Sequence, residues 1–283
     1  MAQRPPVVLV TGASSGIGEA IARAFAEKGF EVFGTSRNPR RSEPIAGVEF
    51  VRLDVTDPES VAAAVSTVIQ RAGRIDVVVN NAGFGVFGAA EESSIGQAQA
   101  LFDTNFFGLV RVTREVLPHL RAQRSGRIIN IGSVLGFAPA PYGALYSASK
   151  HAVEGYSESL DHETREFGVR ISVVEPGYTK TSFDAAAVDA DSPIEGYAPV
   201  REYVKDVLKK SIPAGDDPAV VAQVVVNAAT SRAPRVRYPA GPLAKRLALL
   251  KRIAPSALFD SGVRKANKLG SAPRSHRVAQ VAR

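Results

Sequence analysis

Apolar residues fall along the chain in two alternating rhythms. Short runs rich in valine and isoleucine occupy residues 7–11, 31–35, 48–53, 75–79, 126–131 and 169–174. The largely apolar run 75–79 predicts a strand buried on both faces, as in a parallel sheet. Between such runs the period becomes helical. Ile17, Ala20, Ile21, Ala24 and Phe25 share one face, and the pattern stops at Lys28-Gly29, a basic last turn followed by a glycine cap. Asp57-Pro58-Glu59 supplies a capping acid, a proline at the first helical position and an acid in the first turn. A helix is predicted from there to Ala72, ended by Gly73; Asp217-Pro218 starts another, reaching Thr230. A long helix over 95–121 contains Asn105, a poor interior residue, with Gly108 nearby to permit a local distortion. Pro118 should bend or end that helix. A short edge strand is expected at 236–238. Strand and helix alternate throughout, which predicts an α/β fold built on a doubly wound parallel sheet.

Bulk composition narrows the function classes. The 283 residues, 45% of them apolar, fit one or two domains with an ample core. No apolar run approaches the roughly 18 residues of a membrane span. The run opening at Val7 is too short for a signal-peptide core, so a cytoplasmic location is expected. With no cysteine there is no disulfide and no thiolate nucleophile or metal ligand. His119, His151, His162 and His276 show no metal-ligand spacing, and no metal is expected. The net charge of +7 is unevenly placed: from Arg232 onward thirteen Lys and Arg face one acid, Asp260, while the preceding 231 residues carry 22 cations and 27 anions. A mildly acidic body argues against nucleic acid as a partner.

Candidate chemistry gathers at the carboxyl ends of the predicted strands, where ligands bind in such sheets. Thr11-Gly12-Ala-Ser14-Ser15-Gly16-Ile17-Gly18 joins the first strand to the first helix. Glycines let backbone approach a pyrophosphate, and the helix start then offers its N–H groups; an ordinary tight turn has the same letters. The second strand ends near Arg37, with Arg40 and Arg41 close by and no acid before Glu43. Sites for NAD usually place a carboxylate here, whereas a cation suits the 2′-phosphate of NADP; a solvated basic loop is the plain alternative. Asp54 and Val55 close the third strand, Asp54 being either an adenine contact or a local turn former. Asn80-Asn81-Ala82-Gly83 closes the fourth. Gly132-Ser133 follows the strand at 126–131, and Tyr146 and Lys150 stand four apart at the start of the next helix, on one face. An ammonium beside a phenol favours the phenolate and brings its ordinary pKa of ~10 toward usefulness as an acid or base. Taken alone, the pair is equally a solvated helix face.

Together these motifs resemble the short-chain dehydrogenase/reductase family, nearest the hydroxysteroid and retinol dehydrogenase-like branch. Thr11-Gly12-x-x-x-Gly16-x-Gly18, Asn80-Asn81-Ala82-Gly83, Asn105, Ser133, Tyr146-x-x-x-Lys150 and Pro176-Gly177-x-x-x-Thr181 occur in that family's order, over residues 7 to about 240. The resemblance implies a Rossmann-type fold and hydride exchange with NADP(H), NAD being the lesser fit. Tyr146 would exchange a proton with the substrate oxygen, Lys150 would bind the nicotinamide ribose and lower the tyrosine's pKa, Ser133 would hydrogen-bond the carbonyl or hydroxyl, and Asn105 would hold a relay water. Gly12, Ser14, Ser15, Gly16, Ile17 and Gly18 would cradle the phosphates. Asp54 and Val55 would contact adenine, Asn81, Ala82 and Gly83 would border the adenosine ribose, and Pro176, Gly177, Thr179 and Thr181 the nicotinamide end. One departure is Ser15, where many NADP-preferring members carry a cation, so preference would rest on Arg37 and its neighbours.

The substrate side is expected from residues 84–87, 134–137 and an insertion at 182–213, read as a lid with Phe183, Tyr197, Tyr203, Val204 and Leu208. Aromatic and aliphatic linings favour an apolar substrate over a sugar or small hydroxy acid, and the resemblance implies one that is steroid-, retinoid- or lipid-like; a 3-oxoacyl-thioester reductase and a catalytically silent NADP sensor are the alternatives. A dinucleotide-binding and catalytic domain spans 1–240, followed by a basic extension, 241–283. There Leu243, Leu247, Leu250 and Ile253 form a helical stripe flanked by Lys245, Arg246, Lys251 and Arg252. Such a helix covers the pocket or a partner subunit, or makes peripheral contact with a membrane. The last dozen residues are expected to be disordered. Family likeness also implies a homodimer or homotetramer, through the helices near 95–121 and 146–166.

Overall fold

The computed structural model describes residues 4–181 and 187–269; Phe183 and the expected disordered tail lie outside them. Seven parallel strands form the main sheet in the order β3-β2-β1-β4-β6-β7-β9. They are β1 (Val7–Val10), β2 (Glu31–Ser36), β3 (Val48–Arg52), β4 (Val77–Asn80), β6 (Gly126–Ile131), β7 (Val169–Pro176) and β9 (Arg237–Ala240). A separate pair joins β5 (Val86–Phe87) to β8 (Val188–Asp189). The chain winds outward from β1 to β3, then returns to start β4 on the other side of β1. That reversal opens a crevice beyond the carboxyl ends of β1 and β4.

Alternate residues of each strand feed opposite faces. Val8 and Val10 pack with Ile21 and Phe25 of α1 (Gly16–Glu27) and with Val225 of a helix spanning Pro218–Thr230. Val7 and Leu9 pack with Val65 of α2 (Pro58–Ala72), Val112 and Leu120 of α4 (Leu109–Gln123), and Leu160 of α5 (Ala144–Thr164). The predicted caps form: Asp57 accepts from Glu59 N at 2.9 Å, Gly73 is left-handed at φ 77°, and Asp217 accepts from Ala219 N at 2.8 Å.

The helix expected over 95–121 is two helices, α3 (Ile95–Phe102) and α4, joined by one wider π-type turn over Asp103–Gly108. The distortion falls where Asn105 and Gly108 stand. Pro118 does not end α4, which runs on to Gln123 before Arg124 turns left-handed at φ 55°. Both Pro118 and Arg114, whose carbonyl loses its partner, are exposed, so water can serve that carbonyl. Three helices belong to the wall beside the crevice: α6 (Ala198–Ser211), α8 (Pro242–Ile253) and α9 (Ser256–Ala266), with α7 being the Pro218–Thr230 helix.

Candidate active site

The carboxyl ends of β1, β2, β4, β6 and β7 border one elongated cavity of about 1500 Å³. At one end lies the glycine turn. Gly12 and Gly16 hold left-handed φ values of 64° and 58°, and a methyl on Gly18 would stand 2.1 Å from the Gly12 carbonyl oxygen. Only glycine fits that crossing. Ser15 precedes α1 with extended backbone and makes no side-chain cap to the first-turn N–H groups. Ser14, Ser15, Gly16, Ile17 and Gly18 all line the cavity. A concave backbone cradle at a helix start suits a pyrophosphate.

The turn is anchored from below. Thr11 Oγ1 accepts from Asn81 N at 2.9 Å and Ala82 N at 3.1 Å, and Asn81 Nδ2 donates back to the carbonyls of Thr11 and Gly12. The carboxamide nitrogen of Asn81 is therefore spent holding the turn, while Asn81, Ala82 and Gly83 also line the cavity. Arg37, Asp54 and Val55 border the same end. Asp54 Oδ1 accepts from the backbone N–H and hydroxyl of Thr56, so it forms a local turn and faces the cavity at once. The Thr56 N–H, with the Arg37 charge adding to it, holds its carboxyl below the usual range. Pro176, Gly177, Thr179 and Thr181 line the cavity too, Thr181 standing against Gly16. The residues present thus fit a nicotinamide dinucleotide.

Ser133, Tyr146 and Lys150 line the same cavity. Tyr146 is buried against Phe84, Phe87, Leu135 and Leu145, its ring centroid 5.8 Å from that of Phe87. Lys150 Nζ donates to Ile131 O at 2.8 Å and lies 5.7 Å from the Tyr146 ring centroid. Burial pushes the phenol up to about 12, against the pull of a Ser133 hydroxyl hydrogen bond. Burial brings the lysine down to about 8, against the pull of Glu154. Desolvation is the leading cause in both cases.

Asn105 does not line the cavity. It is buried, its Oδ1 accepting from Phe84 N at 3.0 Å and its Nδ2 donating to Phe84 O at 2.9 Å and Ser149 Oγ at 3.3 Å. Its side chain clamps the 84–87 loop to α5, beside the distorted turn that carries it.

Two polar clusters escaped the sequence reading. Glu154, one helical turn beyond Lys150, is buried with Glu175 at the end of β7, and Arg237 of β9 donates to Glu154 Oε2 at 2.9 Å. Burial and the adjacent Glu154 raise the Glu175 carboxyl to about 8, with Arg237 opposing. The second is Glu92, fully buried, which accepts from the N–H groups of Ala89 and Ile194 and pairs with Arg201 of α6. The only sequence hint of either was an acid among apolar neighbours, as at Val174-Glu175-Pro176.

Beyond Tyr146 the wall becomes aliphatic. Val188, Val204, Leu208 and Ile212 line it, with Leu243, Leu247, Leu250 and Ala254 of the α8 segment and Phe259 and Val263 of α9. The stripe read from sequence at 243, 247 and 250 therefore covers the pocket, whereas Ile253 points away from it.

A family profile described as short chain dehydrogenase matches residues 6–192. A 3-ketodihydrosphingosine reductase of Bacteroides thetaiotaomicron is 38% identical over 246 residues, 86% of this chain and 91% of its own length. Human retinol dehydrogenase 8 is 37% identical over 257 residues, covering 84% of this chain and 82% of its own. The crystal structure of a short-chain dehydrogenase from Streptomyces avermitilis superposes with a TM-score of 0.81 at 32% identity, over 94% of this chain and 99% of the other. The seven-stranded sheet, its glycine turn and these matches together mean that the chain belongs to the short-chain dehydrogenase/reductase family of NAD(P)-dependent oxidoreductases acting on CH–OH groups, nearest its retinol dehydrogenase-like branch.

Proposed function

We propose that the protein is an NADP(H)-dependent reductase of a ketone or aldehyde on a long apolar, lipid-like substrate. The observation that carries this is the continuity of the cavity: dinucleotide cradle, hydroxyl pair and aliphatic wall follow one another in a single space. The curated relatives named a sphingoid ketone reductase and a retinol dehydrogenase support the same substrate class. A bound nicotinamide supplies or accepts the hydride. Tyr146, with its phenol raised to about 12, stays protonated at neutral pH and serves as proton donor to the carbonyl oxygen. Ser133 donates a second hydrogen bond as negative charge gathers on that oxygen. Lys150, a cation fixed on Ile131 O, orients the ribose side and stabilises the phenolate left behind.

Preference for NADP(H) is assigned to Arg37, on the rim of the adenosine end. Replacing it, Arg37→Asp, is expected to reverse the ratio of kcat/KM for NADPH over NADH; an unchanged ratio removes Arg37 from the assignment. The substrate class is tested by turnover of a steroid ketone, a long-chain 3-keto amino alcohol and an acetoacetyl thioester. Turnover of the lipid-like ketones supports the reading, and exclusive turnover of the thioester replaces it with an acyl-thioester reductase.

A further inference from the structure

We propose that α8 and α9 form a docking surface for an anionic lipid bilayer, which holds the cavity mouth against the membrane. That the membrane is the source of the substrate rests on the apolar-substrate reading above; the docking itself does not. No helix among the described residues is long and apolar enough to cross a membrane, so the contact is peripheral.

Two observations carry it. The first is apolar surface left over after the pocket is covered. Leu243, Leu247, Leu250 and Ala254 recur at helical spacing and face the cavity. Leu249 and Ile253 lie roughly 80–120° around the same helix from Leu243 and are 58% and 65% exposed. At the start of α9, Leu258 is 67% exposed although it lines the cavity, and Leu250 likewise both lines it and stands 47% exposed. At Leu250 and Leu258 the aliphatic wall inside the cavity thus continues onto the outer surface.

The second observation is charge. Between Gly241 and Leu269 seven cations stand with a single acid, Asp260. Lys245, Arg246, Lys251, Arg252, Arg264 and Lys265 are exposed, and none of them pairs with a carboxylate among the described residues. Exposed leucine and isoleucine flanked by lysine and arginine match the boundary of an anionic leaflet, where aliphatic groups enter the acyl region and the cations reach lipid phosphates. A second copy of this face would meet its own positive charge, which disfavours self-association.

The test is co-sedimentation of the full chain with vesicles of phosphatidylcholine alone or with phosphatidylglycerol as a minority component. Binding is expected to be at least about tenfold stronger to the anionic vesicles and to fall as salt screens the charge. The paired substitutions Leu249→Ser with Ile253→Ser, and Arg246→Glu with Arg252→Glu, are each expected to weaken it about tenfold or more while turnover of a water-soluble ketone is retained. Substituting Ile95, exposed on α3, by serine is expected to leave binding unchanged. Equal sedimentation with both vesicle types, variants that bind as the parent does, or a vesicle-free dimer dissolved by the Leu249 and Ile253 pair would each overturn the proposal. Because sedimentation needs no turnover, a protein that reduces lipid ketones without pelleting loses only this inference, and one that pellets but reduces only thioesters loses only the substrate assignment.

Discussion

At the glycine turn one added methyl would meet backbone at 2.1 Å, whereas at the far wall Leu250 and Leu258 stand 47% and 67% exposed. The first region is fixed by directional contacts: Thr11 and Asn81 lock the turn, Lys150 is held on Ile131, and Asn105 is bonded on both its polar atoms. The second is shaped by aliphatic side chains whose attraction has no direction. Hydride and proton transfer demand atoms placed to a fraction of an ångström, so rigidity belongs at the first end. A flexible chain of methylenes needs only area and volume, which the second end provides.

This contrast can be broken or sharpened by substitution. The largest effect is expected from Tyr146→Phe, which keeps the ring beside Phe87 but removes the proton donor; kcat should fall about 10²–10⁴-fold with the melting temperature unchanged. A variant that turns over normally would remove Tyr146 from the mechanism. Glu92→Ala probes the polar rivet that ties the loop after β5 to α6. It strands the largely buried Arg201 guanidinium, and chemical denaturation should show a loss of about 3–5 kcal/mol. A loss below about 1 kcal/mol would place the pair with ordinary surface bridges. Leu247→Ala enlarges the aliphatic end and should raise KM for a long-chain ketone about tenfold while leaving kcat nearly unchanged; a fall in kcat alone would mean that the wall positions the reacting carbon.

The smallest effect concerns pH. Glu175 is raised from its ordinary 4.5 to about 8, so the folded state keeps a proton that the unfolded chain releases. Its contribution to stability is complete below 4.5 and is lost as pH rises through about 8. Glu175→Gln should flatten the fall in denaturation midpoint across that window. A slope identical to the parent's would assign it to other groups.

Legibility in the sequence follows the same division. The caps at Asp57, Gly73 and Asp217 and the glycine turn are local devices, whose residues touch neighbours only a few positions away, and their letters predict them. Asn105 and Gly108 announced a distortion for the same reason. The Glu154–Glu175–Arg237 cluster joins α5, β7 and β9, and the Glu92–Arg201 pair spans 109 positions, so no local pattern could assemble either. Pro118 does not end its helix, because its cost depends on whether water reaches the Arg114 carbonyl, which only the folded surface decides. At Tyr146 and Lys150, spacing reveals an ammonium beside a phenol but not the depth at which both are buried. Helices α6 and α9 went unread: their apolar positions answer a cavity, not a sheet, and their stripes are thin.

The sheet is complete at Ala240, and two of the three helices of the aliphatic wall, α8 and α9, come after it. During synthesis the nucleotide-handling machinery can therefore assemble before the compartment it serves has a far side. Exchange of that following segment offers a route to new specificities in which the reacting groups never have to be rebuilt.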